Sequence, residues 1–290
     1  MRACTASKYN PGVEGVGGTG GGGHMSAMSA TECVQFTDHG ERALLELRND
    51  SKNNAMSLAM WRELDAILDE LLINERLRVL IVRGHGQQAF CAGADISEFD
   101  LQRGDPARTK SYDALVERAC QRLESVPVPT VAMIYGFCIG GGLSLAAACD
   151  LRLCDQSATF GLPAARLGLG YDVCGVERLV RLLGPAFAKE ILYTARRIDA
   201  ERARAIGLVH HVSATEELGD HVNELVERIR RNAPLTIRAM KCSVQELSKT
   251  EAQRDLGRCQ ALVDRCNESE DYREGRAAFA EKREPVFRGR

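Results

Sequence analysis

Two short apolar runs stand out in the hydrophobic pattern of this chain. Arg78–Val82 and Thr130–Ile134 are almost wholly aliphatic and lack the polar alternation of a strand that faces water on one side. Such runs are typical of parallel strands that are covered on both faces of their sheet. They predict a buried sheet at the centre of the fold.

Ahead of the first run the pattern changes to a helical period. Apolar residues recur every three or four positions from Leu58 to about Asn74, and Ser57 precedes them as an N-cap. The apolar face comprises Met60, Leu64, Ile67, Leu68 and Leu71. We therefore expect an amphipathic helix that packs on the sheet.

The remaining elements continue this alternation. Strands are predicted at Cys33–Thr37, Ala43–Leu47, Leu151–Cys154, Thr159–Gly161 and Leu208–Val212. Helices are predicted at Arg108–Val126, Gly140–Ala148, Val176–Leu183, Ala186–Thr194 and Ala200–Gly207. From Leu218 onward only the helical period is found. This order predicts an α/β core over residues 31–217 and a helical C-terminal subdomain over residues 218–290.

Residues 1–30 take no part in the pattern. Gly15–Gly23 is nearly all glycine, shows no periodicity and has little to bury. Such a composition predicts a disordered segment.

Charge and cysteine content narrow the function classes. The formal net charge of −2 favours neither nucleic acid nor an anionic membrane as a partner. The eleven cysteines are odd in number, include no C-x-x-C pair and mostly lie in apolar runs. They indicate buried thiols in a reducing, cytoplasmic compartment and no metal site. The long apolar stretch Val126–Cys149 contains two prolines and three successive glycines, so a strand, a turn and a helix explain it better than a membrane span.

Two separated segments carry the candidate chemistry. Ala89–Ile96 and Gly136–Ser144 each follow an apolar run, turn on small residues and lead into helix-like sequence. Two such turns side by side can direct two backbone N–H groups at one carbonyl oxygen. This arrangement is an oxyanion hole, in which each donor contributes about 3 kcal/mol in acyl chemistry.

These segments and three further motifs resemble the crotonase, or enoyl-CoA hydratase/isomerase, superfamily. The motifs are Ala89–Ile96, Gly136–Gly142, Phe160–Pro163, Ala203–Val209 and the tail Ser269–Gly275 with Ala278, Phe279, Lys282 and Arg283. The resemblance implies a crotonase-like spiral of ββα units with a C-terminal helical trimerisation region, assembled as a trimer or a dimer of trimers. It also implies a coenzyme A thioester as substrate, with no separate cofactor.

The resemblance assigns Ala92 and Gly141 to the two oxyanion-hole positions. Gly141 follows Gly140 and opens a predicted helix, where unpaired N–H groups and the helix dipole favour negative charge. Glycine also permits close approach of the thioester. A purely structural role in a tight turn is compatible with this assignment.

The resemblance implies that the second half of the first segment binds the coenzyme. Backbone groups of Ala92–Ile96, including Ala94, would contact the adenine. Asp95 is interpreted as the cap of the segment that begins at Ile96, and not as a catalytic group.

Two other parts of the chain match coenzyme-binding positions of the family. Lys52, Asn54 and Ala55 match the loop near the coenzyme. Phe279 and Lys282 match tail positions that often touch the nucleotide, although a lone tail lysine is usually just solvated.

The chain departs from the family at two positions. Typical hydratases carry Gly-Gly-Gly-x-Glu and Phe-Gly-x-Pro-Glu, and the two glutamates hold water and move its protons. Here Ser144 and Ala164 stand at those positions, within the implied substrate site. Alanine cannot transfer a proton, and serine has no suitable pKa without a partner base. Hydration by two glutamates is therefore not expected.

Asp172 is the candidate replacement. The run Gly168–Gly175 resembles the stretch in which dienoyl-CoA isomerases and 4-chlorobenzoyl-CoA dehalogenases place a functional aspartate. A carboxylate there could take a proton from the substrate and return it at another carbon. The alternative is that Asp172 is an ordinary N-cap. Tyr171 is a secondary candidate, which packing would equally explain.

The resulting prediction is an acyl-CoA enzyme of fatty acid metabolism. It would isomerise the double bond of an enoyl- or dienoyl-CoA, with Asp172 as proton carrier. The alternatives are a hydratase with a non-standard water site and a non-catalytic acyl-CoA-binding homologue.

Overall fold

The structure, a computed structural model, describes residues 33–290. The disorder predicted for residues 1–30 lies outside this range. The first half of the described chain contains β1 (Cys33–Asp38), β2 (Arg42–Arg48), α1 (Leu58–Leu71), β3 (Val79–Gly84), β4 (Ala89–Cys91), α2 (Phe99–Arg103), α3 (Pro106–Ser125), β5 (Thr130–Ile134), β6 (Phe137–Ile139) and α4 (Gly141–Ala148).

The second half begins with strands and ends in helices. It contains β7 (Leu151–Asp155), β8 (Thr159–Gly161), α5 (Ala164–Leu167), α6 (Val173–Thr194), β9 (Ile198–Asp199), α7 (Ala200–Ala205), β10 (His211–Ser213), α8 (Leu218–Arg230), α9 (Pro234–Leu247), α10 (Leu256–Glu268) and α11 (Glu270–Glu281). The predicted α/β class with C-terminal helices is confirmed.

The strands form two mixed sheets. The larger has the order β1-β2-β3-β5-β7-β10 and the smaller has the order β4-β6-β8-β9. Only the pairs β1–β2 and β8–β9 are antiparallel; the other pairs run parallel. Because parallel strands end at the same edge, β4 and β6 deliver their following turns to one place.

The larger sheet is buried on both faces, as its apolar strands predict. Along β3, Leu80 and Val82 pack into the main core with α1 and α3. Val79 and Ile81 face the other side, where α8 covers them. The apolar run of β3 is therefore continuous because its alternate residues pack into two different layers. The predicted domain boundary at residue 218 stays a prediction, but α8 itself packs on the sheet.

The structure differs from the predicted secondary structure at two places. The short strands β4, β6 and β9 were not expected, although they build most of the second sheet. The last predicted strand, Leu208–Val212, is displaced to His211–Ser213. The predicted break at residues 184–185 is confirmed, because α6 consists of two helices that meet at Gly184, whose φ of +72° and ψ of +164° are not helical.

No group of three His, Cys, Asp or Glu side chains within residues 33–290 could hold a metal ion. Within the same range, no helix combines the length and the apolar character that crossing a bilayer requires.

Helix α4 lies directly against strand β4. A Cβ atom added at Gly142 would come within 2.5 Å of the Cys91 carbonyl oxygen and 2.7 Å of the Cys91 Cβ. Only glycine allows the helix to approach the strand this closely. This contact sets the position of the α4 N-terminus relative to the turn that follows β4.

We predict that Gly142→Ala destabilises the protein by about 1–3 kcal/mol, since overpacking costs this much. The sign of this stability change tests the packing argument, because replacing Gly by Ala in a helix interior ordinarily stabilises a protein by about 1 kcal/mol. Urea unfolding would measure the change. The control is Gly219→Ala in α8, where the new Cβ would lie an ordinary 3.8 Å from the Met133 Cε. A Gly142→Ala protein as stable as the Gly219→Ala protein would contradict the packing argument.

Candidate functional site

A cavity of about 150 Å³ opens between β4, α3, α4 and α6. Nine of the predicted site residues line it: Ala92, Ala94, Ile96, Gly140, Gly141, Ser144, Ala164, Tyr171 and Asp172. Residues that are far apart in sequence therefore meet at one site. Lys52, Asn54, Ala55, Asp95, Phe279 and Lys282 are not among the residues that line this cavity.

The backbone N–H of Ala92 is not available to a ligand. It donates to the carbonyl oxygen of Asn53 at 3.0 Å. An amide that is engaged in this way cannot also stabilise charge on a substrate oxygen without breaking its own hydrogen bond. The assignment of Ala92 as an oxyanion donor is therefore wrong.

Ala94 carries the amide that faces the cavity. Met56 forms a parallel bridge with Ala94 by donating to the Gly93 carbonyl (2.8 Å) and accepting from the Asp95 N–H (2.9 Å). In such a bridge the residue between the two bonded neighbours turns its own N–H to the opposite side. The Ala94 N–H has no hydrogen-bond acceptor within residues 33–290, and Ala94 lines the cavity.

Gly141 supplies a second unengaged amide. It is the first residue of α4, and the first bond across the helix start runs from the Ser144 N–H to the Gly140 carbonyl at 3.1 Å. The N–H groups of the first turn therefore lack helical partners and carry the positive end of the helix dipole. Gly140 has φ +55° and ψ −119°, a conformation that favours glycine.

The two amides are held side by side by close backbone contacts. A Cβ at Gly93 would lie 3.2 Å from the Ile139 carbonyl oxygen, and one at Gly140 would lie 3.7 Å from the Gly93 Cα. Since Gly93 adjoins Ala94 and Gly140 adjoins Gly141, both N–H groups belong to turns in direct contact.

Asp95 has the capping role that was predicted for it. Its side chain accepts from the Ser97 N–H at 3.0 Å and caps the short turn that begins at Ile96. Lys52 donates to its other oxygen at 2.5 Å. Burial opposes ionisation of Asp95, but the hydrogen bonds from Lys52 and Ser97 outweigh it and lower the pKa of the carboxyl group. Ile96 remains largely exposed beside this turn.

Asn54 ties the neighbouring loop together from inside. Its amide nitrogen donates to the carbonyls of His85 and Ala89, and its side-chain oxygen accepts from the Asn49 N–H. Asn54 and Ala55 are both buried. The Asn54 side chain therefore shapes the loop and has little capacity left for a ligand.

A pair of hydroxyl groups lies at Ser144, one of the two positions at which typical hydratases carry a glutamate. The Ser144 and Tyr171 oxygens lie 2.6 Å apart, and the Ser144 hydroxyl also reaches the Gly140 carbonyl at 3.3 Å. Burial raises the pKa of Tyr171 to about 12, so its phenol is neutral near pH 7. Gly175 makes room for this ring, because a Cβ there would lie 2.8 Å from the Tyr171 Cε1. Ala164 adds only a methyl group to the wall.

Asp172 is the N-cap of α6 and also lines the cavity. Its Oδ1 accepts from the Cys174 N–H at 2.8 Å, and the residue is exposed at the rim. The capping interpretation is thus confirmed. The catalytic role of Asp172 stays a prediction.

The sequence did not single out several charged residues of the cavity wall. Asp113 pairs with Arg103 at 2.6 Å, and Glu117 pairs with Arg178 at 2.9 Å. Burial lowers the pKa of Arg178, but its hydrogen bonds to Glu124 and Glu117 have the larger combined effect, so the pKa is raised. The spacing of Asp113 and Glu117 by one helical turn on α3 was the available signal, since it places both on one face.

The tail residues lie on a different surface. Phe279 lines a groove between α9, α10 and α11 and is 88% exposed. Lys282 follows α11 with φ +55°. Neither residue reaches the main cavity within this chain.

Comparisons with known proteins show what this chain is similar to. The family model described as enoyl-CoA hydratase/isomerase matches residues 41–290. The Bacillus subtilis protein YngF, named as an enoyl-CoA hydratase/isomerase, is 37% identical over 89% of this chain and 99% of its own length. Carnitinyl-CoA dehydratase of Citrobacter koseri is 36% identical over 90% of this chain and 100% of its length. A crystal structure from Magnetospirillum magneticum, described as an enoyl-CoA hydratase/carnitine racemase, superposes with a TM-score of 0.83 at 35% identity, covering 91% of this chain and 97% of that one.

We predict that Asp95→Asn weakens folding by about 1 kcal/mol at pH 7, a modest loss since Lys52 is partly exposed and solvent screens the pair. Because the folded-state pKa of Asp95 is lowered, its contribution is fully present above the unfolded pKa of about 4 and is lost as the pH falls through the folded value.

Urea unfolding of both proteins between pH 7 and pH 3 would measure this difference. The stability gap should narrow toward the acidic end, because the unfolded wild-type chain takes up a proton at Asp95 more readily than the folded protein does. Asp100→Asn, at an exposed position of α2, is the control and should show no such trend. A gap that stays constant with pH would contradict the assigned ion pair.

Proposed function

Because the chain belongs to the enoyl-CoA hydratase/isomerase family, we propose that it isomerises the double bond of an enoyl- or dienoyl-CoA thioester. The observation that carries the proposal is the pair of adjacent amides at Ala94 and Gly141, together with a single available carboxylate at Asp172. One base can move a proton between two carbons, whereas adding water across a double bond requires the water to be activated.

The amides of Ala94 and Gly141 would bind the thioester carbonyl oxygen. Donors that are fixed before the reaction stabilise the charge that develops on this oxygen, at about 3 kcal/mol for each. The positive end of the α4 dipole acts in the same direction. Stabilising the enolate in this way makes the protons next to the carbonyl easier to remove.

Asp172 would then act as the proton carrier. Its carboxylate removes a proton from the α-carbon of a β,γ-enoyl thioester, and the electrons shift toward the carbonyl. The carboxylic acid so formed, which can exchange its proton with solvent at the exposed rim, then protonates the γ-carbon. The product is the conjugated α,β-enoyl thioester, and neither water nor a cofactor is consumed. The other carboxylates of the wall, Asp113 and Glu117, are each already engaged in an ion pair with an arginine.

The coenzyme part of the substrate would lie beside the turn at Ala94–Ile96. The ion pair of Asp95 and Lys52 stiffens this turn. We expect Lys52 and the exposed side chain of Ile96 to contact the coenzyme, while Asn54 and Ala55 support the loop from within.

Hydration of an enoyl-CoA is the second candidate. Relatives of this chain include proteins named short-chain-enoyl-CoA hydratase and crotonyl-CoA hydratase. The hydroxyl pair of Ser144 and Tyr171 favours it, because two hydroxyl groups 2.6 Å apart could hold a water molecule. Neither hydroxyl is a base at neutral pH, and Asp172 would have to activate that water.

We further propose a reducing, cytoplasmic setting for the enzyme. The ten described cysteines are all free. Cys242 and Cys259 lie with their sulfur atoms only 3.6 Å apart. Thiols this close would readily be oxidised in a secretory compartment.

We predict that Asp172→Asn abolishes proton transfer and preserves ligand binding. Purified protein would be incubated with enoyl- and dienoyl-CoA esters in heavy water, and mass spectrometry would follow the products. Wild-type protein should place deuterium at the α- or γ-carbon without gain of water. Asp172→Asn should be slower by about 100-fold or more, the usual share of a general acid–base group, with an unchanged Kd for a saturated acyl-CoA.

The matched control is Asp199→Asn, since Asp199 caps α7 through the Arg202 N–H at 2.7 Å and lies outside the cavity. Asparagine also caps helices, so both variants should fold. Mass gain of water would establish the hydratase instead. Tight binding without exchange or hydration would indicate a non-catalytic binder, and absence of binding would reject the acyl-CoA site itself.

We also propose that the helical C-terminal region joins copies of this chain into a trimer or a dimer of trimers. The face formed by α9, α10 and α11 exposes Met240, Val244, Val263, Tyr272 and Phe279. A contiguous apolar patch of this kind is typical of an interaction surface. In such an assembly Phe279 and Lys282 could approach the coenzyme of a neighbouring copy.

We predict a mass in light scattering of three or six times the 31.8 kDa of one chain. Combining Met240→Ser with Phe279→Ser should shift the mass toward one chain, because it removes two apolar side chains from the face. Ile73→Ser is the control, since Ile73 is equally exposed but lies outside this groove. A monomeric wild-type protein at micromolar concentration would reject the assembly.

A further inference from the structure

Arg103 is an incompletely partnered guanidinium group in the wall of the main cavity. It ends α2, and one terminal nitrogen, Nη2, donates to the Asp113 Oδ1 at 2.6 Å. Its Nε and Nη1 atoms are buried and have no hydrogen-bond partner within residues 33–290. Such donors are rare in folded proteins and call for an explanation, because burying a charged donor without an acceptor is costly.

Two aromatic rings make cation–π contacts with the guanidinium group of Arg103. The Arg103 Cζ lies 4.8 Å from the centre of the Tyr112 ring and 5.8 Å from that of the Phe99 ring. These cation–π contacts favour the charge. They do not satisfy the N–H groups, which lie in the plane of the guanidinium and need an acceptor oxygen there. The arginine is thus held in place with part of its bonding capacity unused.

Arg103 lies away from the two amides that would bind the thioester. A Cβ at Gly141 would lie 3.2 Å from the Trp61 ring, and the Trp61 Nε1 donates to the Tyr112 hydroxyl at 3.1 Å. Arg103 comes next in this succession of contacts, because its guanidinium stacks on the Tyr112 ring. An indole and a phenol ring therefore separate it from Gly141, a position suited to the distal end of an acyl chain.

The charges around Arg103 leave room for a further acceptor. Asp113 is its one carboxylate partner within residues 33–290. The nearby Arg178 is already bound by two carboxylates, those of Glu117 and Glu124. Of the two arginines that line the cavity, only Arg103 has unpaired donors.

We propose that this cavity selects acyl groups that carry an acceptor oxygen, a carboxylate or a hydroxyl, at their distal end, and that Arg103 recognises that oxygen. This proposal rests on the proposed binding of acyl-CoA thioesters and narrows it to a substrate class. A plain alkyl tail would leave the Nε and Nη1 donors of Arg103 buried and unpaired. An acceptor oxygen would accept hydrogen bonds from them. Arg103 is in this sense a specificity-determining residue and takes no part in proton transfer.

Three saturated five-carbon thioesters test the proposal, because the proposed isomerisation cannot consume them. Pentanoyl-CoA has an alkyl end, 5-hydroxypentanoyl-CoA a hydroxyl end and glutaryl-CoA a carboxylate end. Calorimetry should show one of the two oxygenated esters binding the wild-type protein about 10- to 100-fold more tightly than pentanoyl-CoA, the usual gain from charge-assisted hydrogen bonds.

Arg103→Met should remove this preference and leave the Kd of pentanoyl-CoA within about three-fold, since the aliphatic stem is kept. Arg108→Met is the matched control, because Arg108 lies in the same stretch but pairs with Asp105 outside the cavity. It should preserve the preference.

Asp113→Asn provides a second measurement that does not require removing the arginine. It leaves the Arg103 charge uncompensated, so it should strengthen glutaryl-CoA binding and leave pentanoyl-CoA unchanged if the natural group is a carboxylate. If the natural distal group is a hydroxyl, 5-hydroxypentanoyl-CoA should remain the tightest ligand of the wild-type protein. Equal affinity of the wild-type protein for all three esters overturns the proposal, whereas failure of every ester and of coenzyme A to bind overturns the proposed function itself.

Discussion

The close contact between the turn after β4 and the start of α4 is the constraint on which the site depends. Gly142 lets the helix meet Cys91, and Gly93 lets its turn meet the Ile139 carbonyl. No side chain separates the two backbones, so the N–H groups of Ala94 and Gly141 face one cavity. An oxyanion hole made of backbone amides requires no particular side chain, but it requires this approach.

The side chains around this fixed backbone decide the chemistry. Ser144 and Tyr171 form a neutral hydroxyl pair, and Ala164 contributes no polar group at all. Two carboxylates of the wall are occupied by arginines, and Asp172 at the rim is not. One backbone geometry can therefore support different proton transfers, because the acids and bases belong to side chains and the oxyanion donors to the backbone.

The fold could be predicted wherever local pattern and packing agree. β5 lies where its apolar run places it, and α1 begins after Ser57, whose hydroxyl accepts from the Met60 N–H. The strands β4 and β6 were missed because three residues are too few to show a period. Their existence depends on pairing with each other across a long stretch of chain, and no local propensity encodes that pairing.

The sequence by itself determined the family, the positions of the two turns and the capping role of Asp95, because each depends on residues close together in the chain. For Asp172 it left capping and catalysis open. Only the tertiary structure decided which amides face the cavity. Ala92 and Ala94 lie two positions apart and have the same side chain, but Asn53 engages the first amide while the bridge to Met56 turns the second to the opposite side, where Ala94 lines the cavity. The unpaired guanidinium of Arg103 is likewise a property of the packed wall, since an arginine is recognised as unpaired only once every neighbouring acceptor has its place.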